Sequence, residues 1–149
     1  MLTPTFDANK TILIADDDAD DRLFINEALR HHQLNYQVRF VEDGEELMNY
    51  LTHQNGFSDD NAPKPSLILL DLNMPRKNGF QALAEIKADP RLKRLPVVVL
   101  STSSATEDVD RTYAMGVNSY MVKPNSFNRL TEMIGSLKNY WIETVQLPY

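Results

Sequence analysis

Short apolar runs rich in Ile, Leu and Val recur along this chain without polar alternation. That pattern predicts parallel strands covered on both faces. Strands are predicted over 11–15, 36–41, 66–71, 96–100 and 118–122. Between them apolar residues fall at helical spacing. From Asp20 to His32 they are Leu23, Phe24, Ala28 and Leu29; from Gly44 to Thr52, Leu47, Met48 and Leu51. From Gly79 to Ala88 they are Phe80, Leu83, Ala84 and Ile86, with a stop at Asp89-Pro90. Thr106 to Met115 starts polar and stops at Gly116, and Ser126 caps a last helix through Leu130, Ile134, Leu137 and Trp141. Five strand–helix units in series imply a doubly wound α/β fold. One long irregular segment, Gln54–Pro65, interrupts the alternation.

Four of the apolar runs end on residues able to do chemistry. ILIA leads to Asp16 and Asp17, LILL to Asp71, VVVL to Ser101 and YMV to Lys123. In an open α/β sheet the carboxyl ends of the strands line one edge, where ligands bind. Three acids, a hydroxyl and an ammonium would meet there, a set suited to a divalent cation and a phosphoryl group on an aspartate.

Composition narrows the classes. The 149 residues fit one domain with its own core, 42% hydrophobic and 24% charged. A formal charge of −6 argues against an electrostatic grip on nucleic acid. Without cysteine there is no disulfide, thiolate metal site or thiol nucleophile. The start MLTPTFDANK has no apolar stretch of signal-peptide length and no run approaches membrane-spanning length, so a cytoplasmic protein is expected.

Plainer readings compete at each position. An Asp after a strand often opens a helix, where the dipole favours it; Asp20, Asp21 and Asp18 are so explained. Asp71 directly after LILL is unfavourable unless something needs it there. Ser101 belongs to STSSAT, whose Thr102, Ser103 and Ser104 cap the next helix or shape its approach. His31, His32 and His53 lack partners at ligand spacing and are expected to be solvated.

The joint order of these residues resembles a response-regulator receiver domain of two-component signalling. The resemblance rests on an acid pair closing the first strand, DLNMP from Asp71, Gly79, a hydroxyl closing the fourth strand and Lys123-Pro124 closing the fifth. It implies a flavodoxin-like five-stranded parallel sheet of order 2-1-3-4-5, with five helices in three layers. It further implies that Asp71 accepts the phosphoryl group. Asp17 is then a direct Mg²⁺ ligand, Asp16 acts largely through a metal-bound water, and Asn73 offers its backbone carbonyl. Lys123 is expected to pair with Asp71 at rest and with a phosphoryl oxygen afterwards, its bond to Pro124 being cis. Ser101 would hydrogen-bond the phosphoryl group, and Tyr120 would turn inward as the switch aromatic.

Two other chemistries compete with this one. A haloacid-dehalogenase-type phosphatase would place a second Asp where Asn73 stands, and an FMN binder would place a hydroxyl-rich loop where DDDADD stands. A degenerate receiver acting only as an interaction module is the third alternative. More narrowly, DLNMPRKNG, EIKADPRLKRLPVVVLSTSS and a tail ending VQLP resemble single-domain regulators paired with bacterial phytochrome-type histidine kinases. A single receiver domain over 1–149 without an output domain is expected, catalysing only its own phosphorylation and dephosphorylation and signalling by protein contact. Tyr140, Trp141, Ile142 and Val145 extend the last helix and predict a homodimer through it.

Overall fold

The computed structural model describes residues 7–34 and 36–148. Five parallel strands form one sheet in the order β2-β1-β3-β4-β5. They are β1 (Asp7–Ala15), β2 (Tyr36–Val41), β3 (Leu67–Leu70), β4 (Val97–Ser101) and β5 (Ser119–Val122). The helices are α1 (Ala19–His31), α2 (Gly44–Thr52), α3 (Gly79–Ala88), α4 (Thr106–Ala114) and α5 (Phe127–Leu137). This is the flavodoxin-like sheet the pattern and resemblance imply, with helices on both faces.

Side chains alternate across the central strands, so each strand feeds two cores. Leu13, Ile68, Leu70, Val97 and Val99 pack with Leu47, Met48, Ala82, Leu83 and Ile86 of α2 and α3. Ile12, Ile14, Leu67, Leu69 and Val98 pack with Ile25, Ala28 and Leu29 of α1 and with Leu130, Ile134 and Leu137 of α5. All four residues of β3 are buried, so an uninterrupted LILL is what that position demands.

Register carries the fold into the site. Ala15 lies opposite Leu70, so the next residues, Asp16 and Asp71, leave the sheet level with one another. Ser101 lies opposite Val122, and the Lys123 amide donates to the Ser101 carbonyl at 2.7 Å. The Asp16 amide donates to Val41 O and the Asp71 amide to Ala15 O, each at 3.0 Å. Backbone bonds therefore fix where each of these side chains begins.

Several expectations are corrected. The Lys123–Pro124 bond is trans, like every described peptide bond; trans is the form X–Pro bonds favour by about 0.5–1 kcal/mol. Two of the histidines are bonded, not simply solvated. His32 Nε2 lies 2.8 Å from Thr131 O, and His53 Nε2 lies 2.9 Å from Ala62 O with Nδ1 3.1 Å from Asp59. The 54–65 excursion is fastened down. Tyr50 donates to Pro63 O at 2.7 Å, its ring packs on Phe57, and Ala62 is fully buried.

Beyond α5 the chain enters a π-helical turn, Lys138–Thr144, closed by a bond from the Val145 amide to Tyr140 O at 2.8 Å. Trp141, Ile142 and Val145 fold back onto the α1–α5 core, and Leu147 is buried there. Of the tail aromatics among the described residues, Tyr140 is the exposed one.

Candidate functional site

The acidic cluster begins at the β1–α1 junction. Asp16 is buried and takes a hydrogen bond from the Asp18 amide at 2.9 Å. Asp18 is the N-cap of α1, accepting from the Asp20 and Asp21 amides at 2.8 and 3.1 Å. Capping turns the chain sharply after Asp16 and leaves Asp17 exposed at the mouth. One carboxylate oxygen from each of Asp16, Asp17 and Asp71 lies within 4.8 Å of the others. Oxygen donors of this kind suit a hard divalent cation.

Asp71 stands at the end of β3, 7% exposed. Its Oδ1 accepts from the Asn73 amide at 3.3 Å, and Asn73 itself is exposed. Gly79 explains itself here. A Cβ on Gly79 would sit 2.4 Å from the Asp71 carbonyl oxygen and 2.7 Å from Leu72 Cα. The loop from Leu72 to Asn78 is also tied to α2. Lys77 O accepts from the Gly44 amide at 2.8 Å, and a Cβ on Gly44 would lie 2.2 Å from that oxygen. Arg76 holds the left-handed backbone region at φ 64° within this loop.

Lys123 reaches into the cluster from the end of β5. Its Nζ lies 2.6 Å from Asp16 Oδ2, 2.9 Å from Asp21 Oδ2 and 3.4 Å from Asp71 Oδ2. The expected Lys123–Asp71 pairing is present, and Asp16 and Asp21 hold the ammonium more closely still. In the sequence Asp21 reads as a first-turn helix acid, and no local spacing links it to a lysine about a hundred residues away.

Electrostatics follow from burial. Burial pushes the Asp71 carboxyl up to about 6, against the lowering effect of Lys123 and with a further rise from Asp16. Burial also raises Asp16, opposed by its hydrogen bond to Lys123. Burial alone would lower Lys123, but its bond to Asp16 and the charges of Asp71 and Asp16 outweigh that and raise it. One buried ammonium cannot neutralise two buried carboxylates, so the pocket carries an excess of negative charge.

Ser101 is fully buried at the end of β4, its Oγ accepting from the Ser103 amide at 3.2 Å. Tyr120 is half-buried against the α2–α3 core, and its hydroxyl donates to Ser103 O at 2.8 Å. Ser103 also donates its hydroxyl to Asp108 Oδ2 at 2.6 Å. The backbone amide and carbonyl of Ser103, on successive peptide groups, thus join Ser101 to Tyr120, so Ser103 shapes the loop in the way the second of its two expected roles implies. The N-cap of α4 is Ala105, with no side-chain bond.

The model of the response regulator receiver domain matches residues 12–135. The chain belongs to this family. This receiver is 40% identical over 139 residues to response regulator Rcp1 of Synechocystis sp., covering 93% of each chain. It superposes on the Mn²⁺-bound form of Rcp1 with a TM-score of 0.87, covering 94% of this chain and 99% of that one. The phosphorylated cyanobacterial phytochrome response regulator RcpA is 42% identical, with a TM-score of 0.88 over 95% of this chain and all of that one. A regulator in red light signalling of R. palustris is 35% identical, at 0.87 over 94% and 99%. Membership of the receiver family places the chain in two-component signalling. No helix among the described residues is long and apolar enough to cross a membrane.

Proposed function

We propose that this receiver accepts a phosphoryl group on Asp71 from the phosphohistidine of a sensor histidine kinase. The observation that carries the reading is the convergence of Asp71, Asp16, Asp17 and Lys123 at one edge of the sheet. In the transfer a lone pair of an Asp71 carboxylate oxygen forms the O–P bond. The P–N bond breaks, and the imidazole nitrogen keeps the bonding pair. Mg²⁺ would be held by Asp17, Asp71, the Asn73 carbonyl and, through water, Asp16; it would offset the charge that repels an anionic donor. Lys123 then pairs with the modified carboxylate, and Ser101 donates its hydroxyl to it.

The switch runs through Ser103. When the Ser101 hydroxyl turns to the phosphoryl group it gives up the Ser103 amide, and the Tyr120 bond to the Ser103 carbonyl, one peptide further on, moves with it. A local charge change so biases the β4–α4 loop between two arrangements.

The chain acts as a single receiver domain in the cytoplasm and signals by protein contact, without nucleic acid. The similarity to RcpA, a phytochrome response regulator, supports a phytochrome-type kinase as the donor. A homodimer through the last helix and its neighbours is favoured by exposed Tyr140, and by exposed Phe127 of α5 in edge contact with Phe24 of α1. Incubation with acetyl phosphate, with and without Mg²⁺, tests the central claim by intact mass. A metal-dependent gain of a single phosphoryl group, lost in Asp71→Asn, is expected; no gain under either condition favours a degenerate interaction module.

A further inference from the structure

Asp21 stands apart from the other acids around Lys123. It lies in the first turn of α1, and its side chain is 33% exposed, against 2% for Asp16 and 9% for Asp71. A first-turn acid serves the helix equally well when it points to water, as exposed Asp20 does beside it. Asp21 instead reaches across to β5 and places Oδ2 2.9 Å from the Lys123 ammonium, closer than the 3.4 Å of Asp71.

We infer that Asp21 is a positioning residue for the phosphoryl transfer, drawing the Lys123 ammonium toward the α1 side of the pocket so that its bond to Asp71 stays the longest of the three. The inference rests on the reading of Asp71 as phosphoacceptor and adds a residue to it. An ammonium bonded tightly to Asp71 would occupy the lone pair that must reach phosphorus. Asp16 alone cannot prevent this, because Lys123 can bridge Asp16 and Asp71 together. A third carboxylate on the far side draws the cation away. Its partial exposure makes that hold releasable, since solvent weakens it relative to a buried pair. Once the phosphoryl group is on Asp71, its greater charge recruits the ammonium from Asp21.

Neutralising Asp21 leaves Asp16 and Asp71 as the carboxylate partners of Lys123. The nucleophile is then masked, and the acyl phosphate, once formed, keeps its cation longer. With acetyl phosphate as donor, the Asp71 O–P bond forms, the donor P–O bond breaks, and acetate leaves with the bonding pair. No proton need move.

The test is a double-mutant cycle with Asp21→Asn and Lys123→Ala, singly and combined, at saturating Mg²⁺, following intact mass over time. Asp21→Asn is expected to slow phosphorylation and prolong the phosphorylated state, each by about three- to tenfold, and to change neither by more than about twofold in the Lys123→Ala background. Asp21→Glu, which keeps the charge, is expected to restore the wild-type rate to within about twofold. The Mg²⁺ dissociation constant, measured by calorimetry without a donor, completes the same cycle. Asp21→Asn should weaken it about threefold only where Lys123 is present. Equal effects of Asp21→Asn in both backgrounds would overturn the inference, because Asp21 would then act as a diffuse charge or a helix residue. Wild-type rate, lifetime and metal affinity in Asp21→Asn would overturn it as well. If the wild-type chain takes no phosphoryl group, the phosphoacceptor reading fails, and the calorimetric cycle still decides whether Asp21 works through Lys123.

Discussion

Asp71 is held in an environment that disfavours its own charge. Its carboxyl is pushed from 3.8 to about 6, chiefly by burial. The folded state therefore binds this proton more tightly than the unfolded chain. Below about pH 4 both states are protonated and no penalty exists; between about pH 4 and 6 the unfolded state ionises first and stability is lost. Above about pH 6 the loss is complete and constant. Metal-free Asp71→Asn removes the penalty while keeping an acceptor for the Asn73 amide. It should unfold at a higher temperature than wild type at pH 7.5, by the equivalent of about 1–2 kcal/mol, with no gain at pH 4. Mg²⁺ should narrow the difference at pH 7.5. Thermal melts at both pH values with and without metal check this, and an equal gain at pH 4 would contradict the cause given. The identity of these side chains could be read from the run-ends, because strand termini and edge chemistry are local signals. Of the pairing, only the Lys123–Asp71 contact could, through the family resemblance. That Lys123 prefers Asp16 and Asp21 over Asp71 depends on the reach of α1 toward β5 and on relative burial, neither of which periodicity encodes.

At the scale of elements, two helical glycines have opposite standing. A Cβ at Gly79 would meet backbone, the Asp71 carbonyl oxygen at 2.4 Å. A Cβ at Gly135 would meet a side chain, the His32 ring at 2.6 Å. Backbone at the end of a central strand has nowhere to go, so Gly79→Ala should cost about 3 kcal/mol and weaken phosphorylation by moving Asp71. The His32 ring can turn at the expense of its bond to Thr131, and Ala returns up to about 1 kcal/mol of helix propensity, so Gly135→Ala should stay within about 1 kcal/mol of wild type. Denaturant unfolding of both variants measures the contrast. The starts of α2 and α3 were legible because Gly44 and Gly79 open apolar-periodic runs; the structure adds the side chains of Asp43 and Asn78 that cap them. The end of β1 was legible and its beginning was not. The strand extends back to Asp7 through a register shift between Asp7 and Thr11, over residues that are mostly polar.

For the molecule as a whole, the tail decides how much apolar surface is left to share with a second copy. Trp141, Ile142, Val145 and Leu147 are spent on the chain's own core, which sequence spacing alone could not separate from an exposed seam. What remains outside on α1, α5 and the tail is Tyr140 at 57% exposure, together with Leu23, Phe24 and Phe127 at 51, 40 and 44%; Tyr113 of α4 and Val122 of β5 are exposed elsewhere. If these form the dimer contact, sedimentation should show a concentration-dependent dimer that Phe24→Ala or Phe127→Ala weakens by about tenfold. A monomer at high concentration, with and without a phosphoryl mimic, would remove the homodimer from the proposal.

The π-helical turn at 138–144 also makes the chain tolerant of a lost residue in an unusual way. Such a turn accommodates one more residue than an α-helical turn does, so losing a residue there would let the backbone relax into the commoner α turn instead of breaking it. Everything downstream would then keep close to its present phase around the axis, because an α turn with one residue fewer returns to the same face. The indole would stay on the α1–α5 core while the sheet stayed whole. Because Trp141 is the sole tryptophan, an unshifted emission maximum over an unaltered circular dichroism spectrum would report that the end had been re-indexed, not unfolded.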